Sequence, residues 1–210
     1  MTAFGVYTGL KAAVRHRLGK NDLKGVKVAV QGLGNVGYNL CRHLSQDGAK
    51  LFVTDVQTDR IDMAAREFGA QGVALNDIYG VDADVFAPCA LGAILNDATL
   101  KQLKAKVVAG AANNQLAEAR HGRALKDMSI LYAPDYVINA GGLISVYYEY
   151  AGRTASKPYD RQRVVEQVEK IYATTESIFK KAEQDNISTS EAADAIAEQR
   201  FKGKPSSIAA

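Results

Sequence analysis

The chain has 210 residues, 47% of them hydrophobic and 23% charged, with a formal net charge of +3. That is enough apolar material for one large domain whose core needs no metal or disulfide staple. The charge is too small and too evenly spread for a nucleic-acid or anionic-membrane binder. Two cysteines, Cys41 and Cys89, make no disulfide framework, and no uncharged apolar run approaches the about 18 residues of a membrane helix. With no basic-then-apolar leader in these letters, a cytoplasmic protein is expected, and the lysines from Lys101 to Lys106 read as a solvated helix end.

Ala3, Val6, Tyr7, Leu10 and Val14 recur at helical spacing and predict an opening amphipathic helix that Gly19 ends. Val26 to Val30 reads as a buried strand stopped at Gly32. Val36, Leu40 and Leu44 mark the next helix, which Gly48 closes, and Leu51 to Asp55 is a second strand. Ile61, Ala64, Ala65 and Phe68 place a helix before Gly69, and short apolar runs follow at 85–87, 107–109 and 130–133. Strands alternating with helices predict an α/β fold, a Rossmann-type doubly wound parallel sheet over residues 1–151. Val164, Val168, Ile171, Tyr172 and Thr175 then give a long helix with no strand after it. Ser188-Thr-Ser-Glu191 has the spacing of a capping box, predicting a last helix near Ala192. Residues 152–210 are thus expected to be a helical segment, joined through a hinge between Gly152 and Tyr159.

Gly32-Leu33-Gly34-Asn35-Val36-Gly37 is a complete G-x-G-x-x-G, here following a strand and opening a helix. In that context Gly32 permits the tight turn, Gly34 lets the backbone approach a pyrophosphate and Gly37 lets helix and strand pack closely. The anion would rest on unpaired N–H groups at the positive end of the helix. Asp55, 18 positions beyond Gly37, stands where a carboxylate accepts the ribose hydroxyls and repels a 2′-phosphate, so NAD is the expected cofactor. A tight turn with a surface aspartate after it would carry the same letters, but strand, turn, helix and acid in register favour the dinucleotide. His16, His43 and His121 lack partner acids at triad or metal spacing, so no metal site is expected. The two cysteines read as small apolar fillers.

Four segments carry a resemblance: Val28-Ala-Val-Gln-Gly-Leu-Gly-Asn-Val36, Ala87-Pro-Cys-Ala-Leu-Gly92, Ala109-Gly-Ala-Ala-Asn-Asn-Gln115 and Ala133-Pro-Asp-Tyr-Val-Ile-Asn-Ala-Gly-Gly142. Together they closely resemble the cofactor domain of the leucine, phenylalanine and valine dehydrogenases, from Thr2 nearly to the end, fading over 201–210. The resemblance implies that Thr2, Ala90 and the backbone of Ala111, Ala112 and Asn113 line the cofactor. It also implies that Asn113, Asn114 and Asn139 face the carboxamide and substrate; read alone, Asn113 and Asn139 would pass for turn formers. Glutamate dehydrogenases share the glycine turn, but their loop typically reads G-A-N-G-P where this chain has Gly110-Ala-Ala-Asn-Asn. They also place a serine at the position of Val146. Leu143 and Val146, one helical turn apart, suit an aliphatic or aromatic substrate side chain, although the same pair could be plain helix core.

Members of the family oxidise an L-amino acid to its 2-oxo acid and ammonia, passing hydride to NAD. Their carboxylate-binding and general-base lysines lie in an N-terminal domain. The resemblance therefore implies that no catalytic residue is in this chain, that a missing N-terminal catalytic domain is its partner, and that residues 152–210 pack on the sheet domain or on that partner. A homo-oligomer is compatible with it. A stand-alone NAD-sensing module is the rival, but a sensor needs the glycine turn and Asp55 without a substrate floor at Asn113 and Asn139.

Overall fold

The computed structural model describes residues 1–154 and 158–202. Six parallel strands form one sheet: β1 (Lys27–Gln31), β2 (Lys50–Thr54), β3 (Gln71–Gly72), β4 (Val85–Pro88), β5 (Val107–Val108) and β6 (Leu131–Tyr132). Their spatial order is β3-β2-β1-β4-β5-β6. The chain runs outward from β1 in one direction, then returns to place β4 on the other side, so the order reverses between β1 and β4. Open parallel sheets bind ligands at the carboxyl ends of strands at such a reversal. The central strands are continuous apolar runs because both faces are covered: Val28, Ala29 and Val30 are all but inaccessible, as are Val85, Phe86 and Ala87.

The helices are α1 (Thr2–Leu18), α2 (Asn35–Gln46), α3 (Thr58–Phe68), α4 (Asp97–Leu100), α5 (Arg120–Asp127), α6 (Asp135–Ile138), α7 (Gly141–Thr154), α8 (Arg161–Asp185) and α9 (Thr189–Lys202). As expected, Gly19 and Gly69 end α1 and α3 in left-handed conformations that spare a side chain its steric penalty. The edge strand β3 is two exposed residues with no alternation to announce it, and the sequence reading passes over it. The capping box at the head of α9 forms: Glu191 accepts the Ser188 N–H at 2.8 Å, and the Glu191 N–H reaches the Ser188 hydroxyl at 3.3 Å.

Helix α8 packs on α1. Val164, Val168, Ile171 and Phe179 share a core cluster with Val6, Leu10, Ala13 and Val14, and with Val28 and Val30 of the sheet. Burying each large side chain there contributes about 1.5–3 kcal/mol. Helix α7 runs through Gly152 to Thr154. Of the rest of the expected hinge, residues 155–157 lie outside the described residues. Among the described residues, no helix is long and apolar enough to cross a membrane.

Candidate functional site

The glycine turn leaves β1 at its carboxyl end. Gly32 has φ +95°, and a Cβ there would lie 2.7 Å from that of Ala90, which follows β4. The two loops at the strand-order reversal therefore touch across a position only glycine fits. A Cβ on Gly37 would overlap the Gly32 carbonyl oxygen and approach Cys89, so the first turn of α2 rests directly on the loop. Gly34 differs from both: a Cβ there meets nothing within 4 Å among the described residues, its chain neighbours aside. Two of the glycines are needed by the protein's own packing. The third leaves an open surface, where a side chain would obstruct only something brought in from outside.

Asp55 stands just beyond β2 and is 9% exposed. Its Oδ2 accepts the Leu33 N–H at 2.6 Å and its Oδ1 the Gln57 N–H at 2.9 Å, tying the glycine turn to the end of the next strand. A carboxylate has about four acceptor positions, so two N–H bonds leave capacity for hydroxyls. The Leu33 side chain is core, 2% exposed, and its N–H donates to Asp55. Asn35 and Val36 begin α2 and share a cavity of about 470 Å³ with Thr2, His43 and Arg161. Thr2 also abuts the start of α7 through Gly142.

A second cavity, of about 410 Å³, opens at the reversal point between Gly32, Asp55, Arg60, Tyr79 and Ala90. The Gln31 carboxamide oxygen and the Thr54 hydroxyl are buried on its wall without a hydrogen-bond partner. Buried polar groups left unpaired cost about 1–3 kcal/mol each, and both belong to residues that line this cavity. With the open face of Gly34 and the spare capacity of Asp55, they fit a dinucleotide: Gly34 and the α2 amino end for the pyrophosphate, Asp55 for a ribose.

The shelf continues along the strand ends. The loop after β4 is held to the loop after β5 by Ala93 N–H to Asn114 O (2.7 Å) and Leu95 N–H to Gln115 O (2.9 Å). Gly92 approaches so closely that a Cβ would lie 2.6 Å from the Asn113 carbonyl oxygen. Asn139, after α6, donates to Asn113 Oδ1 at 2.8 Å and to the Ala111 carbonyl at 3.3 Å. Asn113 and Asn139, 26 positions apart, thus meet, with Ala111 and the buried Ala112 beneath them.

Two residues that hold this loop were not singled out from the sequence. Gln115 is fully buried, and its Nε2 donates to the carbonyls of Gly110 (2.8 Å) and Ala112 (2.9 Å). Asp135 is 6% exposed and accepts the Asn114 N–H at 2.8 Å and the Tyr132 hydroxyl at 2.5 Å. Asn114 itself sits at φ +53°, a left-handed conformation asparagine tolerates better than most residues. Burial, followed by the neighbouring Asp135 charge, raises the Tyr132 phenol above its ordinary value and keeps it a donor. The only sequence signal for Asp135 is an acid after proline at a strand end, which more often marks a helix start.

Leu143 and Val146 are 74% and 62% exposed on α7, so neither belongs to this chain's core. With Tyr147 and Tyr150 they make an i, i+3, i+4, i+7 apolar stripe facing outward. The histidines do other work. His121 is buried, its Nδ1 accepting the Glu118 N–H at 3.0 Å, while His16 meets Glu183 at 2.9 Å on the far side. Lys11 joins Tyr7 and Asp47 between α1 and α2. Burial pushes the Cys89 thiol up to about 12 and raises Cys41 further, so neither is a ready nucleophile. No group of three or more potential metal ligands occurs among the described residues.

Fold and shelf together define a Rossmann-like dehydrogenase fold of the doubly wound kind. The chain belongs to the Glutamate/Leucine/Phenylalanine/Valine dehydrogenase family, which it matches over residues 1–58 and 53–204. It is 54% identical over 201 residues to a leucine dehydrogenase of Geobacillus stearothermophilus, an alignment covering 96% of this chain and 53% of that protein. The crystal structure of L-tryptophan dehydrogenase from Nostoc punctiforme superposes with a TM-score of 0.92 at 49% identity, covering 97% of this chain and 60% of that one. A hetero-hexameric glutamate dehydrogenase from Thermus thermophilus, at 24% identity and a TM-score of 0.76, covers 95% of this chain and 51% of its own and shares the fold. The chain spans about half the length of the curated relatives it matches.

Proposed function

We propose that this chain is the NAD-binding half of a cytoplasmic amino-acid dehydrogenase acting on a hydrophobic L-amino acid of the leucine, valine, phenylalanine or tryptophan class. The observation that carries the reading is the continuous shelf from Gly34 and Asp55 through Ala90 to the Asn113–Asn139 pair. Gly34 and the head of α2 receive the pyrophosphate, and Asp55 accepts ribose hydroxyls. Asn113, held by Asn139, presents its amide at the end of the sheet where the reacting ring and substrate meet. When bound, the nicotinamide accepts the hydride released from the substrate's α-carbon.

Leu143 and Val146 provide an apolar flank for the substrate side chain, and a charged side chain would have to be desolvated against them. The leucine, tryptophan and phenylalanine dehydrogenases among its relatives, at 45–54% identity, support this choice over a glutamate enzyme. Oxidative deamination also needs a base on the amine and a cation on the carboxylate. No lysine lines either cavity beside the glycine turn among the described residues. The 210-residue chain alone is accordingly expected to bind cofactor without turnover, its lysines being supplied by a separate catalytic domain.

The test follows absorbance at 340 nm with Leu, Val, Phe and Trp as substrates. The chain alone should form no NADH, whereas a chimera carrying it in place of the matching part of the Geobacillus leucine dehydrogenase should oxidise at least one of them. NADH formation by the chain alone, abolished by Asn113→Ala, would locate a base within these residues. A folded chimera inactive on all four would overturn the substrate assignment.

A further inference from the structure

The ribose end of the site is not a bare carboxylate. Arg60, in the first turn of α3, brings its guanidinium to 3.6 Å from Asp55 Oδ2, with the arginine side chain 41% exposed and the aspartate side chain 5% exposed. Its side chain makes no hydrogen bond among the described residues, so its N–H donors are not committed to a partner within hydrogen-bond range. Arg60 also lines two adjoining hollows at once: the reversal-point cavity with Asp55, and a groove of about 270 Å³ with Gly34, Asn35, Tyr38 and Met63. It stands on the rim between them, beside the acid that reads the ribose. Val56, the residue after Asp55, is 78% exposed and does not wall off that edge.

We propose that Arg60 is a specificity-determining residue that lets this site accept a 2′-phosphorylated ribose as well as a plain one, so that NADP binds within about tenfold of NAD. The inference rests on the dinucleotide reading of the cleft. An isolated buried carboxylate discriminates against a phosphate dianion because two anions would share a poorly solvated space. Here both oxygens of Asp55 already accept backbone N–H bonds, and a guanidinium stands 3.6 Å from Oδ2. Arginine also matches the geometry of a phosphate, offering two parallel N–H bonds where lysine offers a point charge. Swinging the half-exposed guanidinium from its loose contact with Asp55 to a 2′-phosphate exchanges an interaction outside hydrogen-bond range for charge-assisted bonds. With a plain ribose the guanidinium stays where it is and Asp55 does the reading.

The experiment is calorimetric titration of the 210-residue chain with NAD and with NADP, in the unmodified protein and in Arg60→Lys, Arg60→Ala and Arg60→Glu. Arg60 is on the surface of a helix, and circular dichroism checks that each variant folds. The quantity read is the ratio of the two dissociation constants. It should widen about tenfold in favour of NAD in Arg60→Ala, further in Arg60→Glu and less in Arg60→Lys, with NADP affinity the more sensitive to salt. A widening of less than about threefold in Arg60→Ala would overturn the assignment of Arg60 while leaving the dinucleotide reading intact. Absence of saturable binding by either cofactor to the unmodified chain would overturn both.

Discussion

The two ends of the shelf are built differently. Around the glycine turn the chain's own contacts fix the backbone: Gly37 seats α2 on the Gly32 carbonyl, and Asp55 is 9% exposed and bonded to Leu33 and Gln57. At the other end, the Asn113–Asn139 pair is fixed from below by Asp135 and Gln115, but α7 beside it turns Leu143, Val146, Tyr147 and Tyr150 to solvent. A monomer rarely leaves so much apolar side chain in one stripe without a surface to cover it. The contrast separates two requirements. On the proposed reading, the preformed turn is the cofactor's part of the site, and the exposed stripe is the substrate's part, left for a second surface to cover.

Gly37 is the largest lever on the first region. Gly37→Val places atoms where the Gly32 carbonyl oxygen stands, so the turn and α2 must part. A loss of about 3 kcal/mol or more in urea unfolding is expected, in the range for overpacking at a closed site. A near-neutral result would mean that the turn is looser than its contacts imply.

The underside of the second region is tested next. Asp135→Ala removes the acceptor of the buried Tyr132 hydroxyl and of the Asn114 N–H. Stability should fall by about 1–3 kcal/mol, the cost of leaving such groups unpaired, with faster hydrogen exchange in residues 110–115. Unchanged exchange there would show that Asp135 does not hold the loop.

Smaller again is the cap of α9. Hydrogen bonds from the Ser188 hydroxyl and backbone N–H, with Arg123 nearby, hold the Glu191 carboxyl at about 2, well below its ordinary 4.5. A carboxylate whose folded value is depressed stabilises the protein above its unfolded value, so this contribution is complete above about pH 4.5 and is lost as pH falls toward 2. Ser188→Ala should cost about 1 kcal/mol at pH 7 and flatten that acid limb of the stability profile. An acid limb identical to that of the unmodified protein would remove Glu191 from the account.

The exposed stripe carries the smallest expected effect on folding. Leu143→Ser and Val146→Ser should each change the stability of this chain by no more than about 0.5 kcal/mol, the usual range for surface positions. In the chimera the same changes should cost about 1–3 kcal/mol in kcat/KM on a hydrophobic substrate, the worth of one or two buried methylenes. Equal, small effects in both settings would make the stripe a plain surface.

The same division governs what could be read from the letters. The β1–turn–α2–β2 unit is written locally: glycines at fixed spacing, an apolar run on each side and an acid at the next strand end. The strands at Val85 and Val107 are legible as apolar runs, and the Ser188–Glu191 box as a cap. Asp135 and Gln115 were not legible, because their work is to bond backbone groups of a loop that only the folded sheet brings near. Arg60 escaped for a related reason: its meaning lies in its distance from Asp55, not in its spacing. Leu143 and Val146 show the converse, since helical periodicity marks an apolar face without saying what covers it.

The most direct test of the central claim is a calorimetric titration of NAD into the 210-residue chain, beside the Gly34→Ala variant. Among the described residues, its chain neighbours aside, nothing lies within 4 Å of a Cβ at Gly34, so the variant should unfold within about 1 kcal/mol of the unmodified chain, the scale of glycine-to-alanine effects on the backbone. NAD should bind the unmodified chain at one site and bind the variant at least about tenfold more weakly, a difference of about 1.4 kcal/mol. Equal affinity in the two proteins, or no saturable binding to the unmodified chain, would contradict the assignment of the glycine turn as the cofactor's cradle.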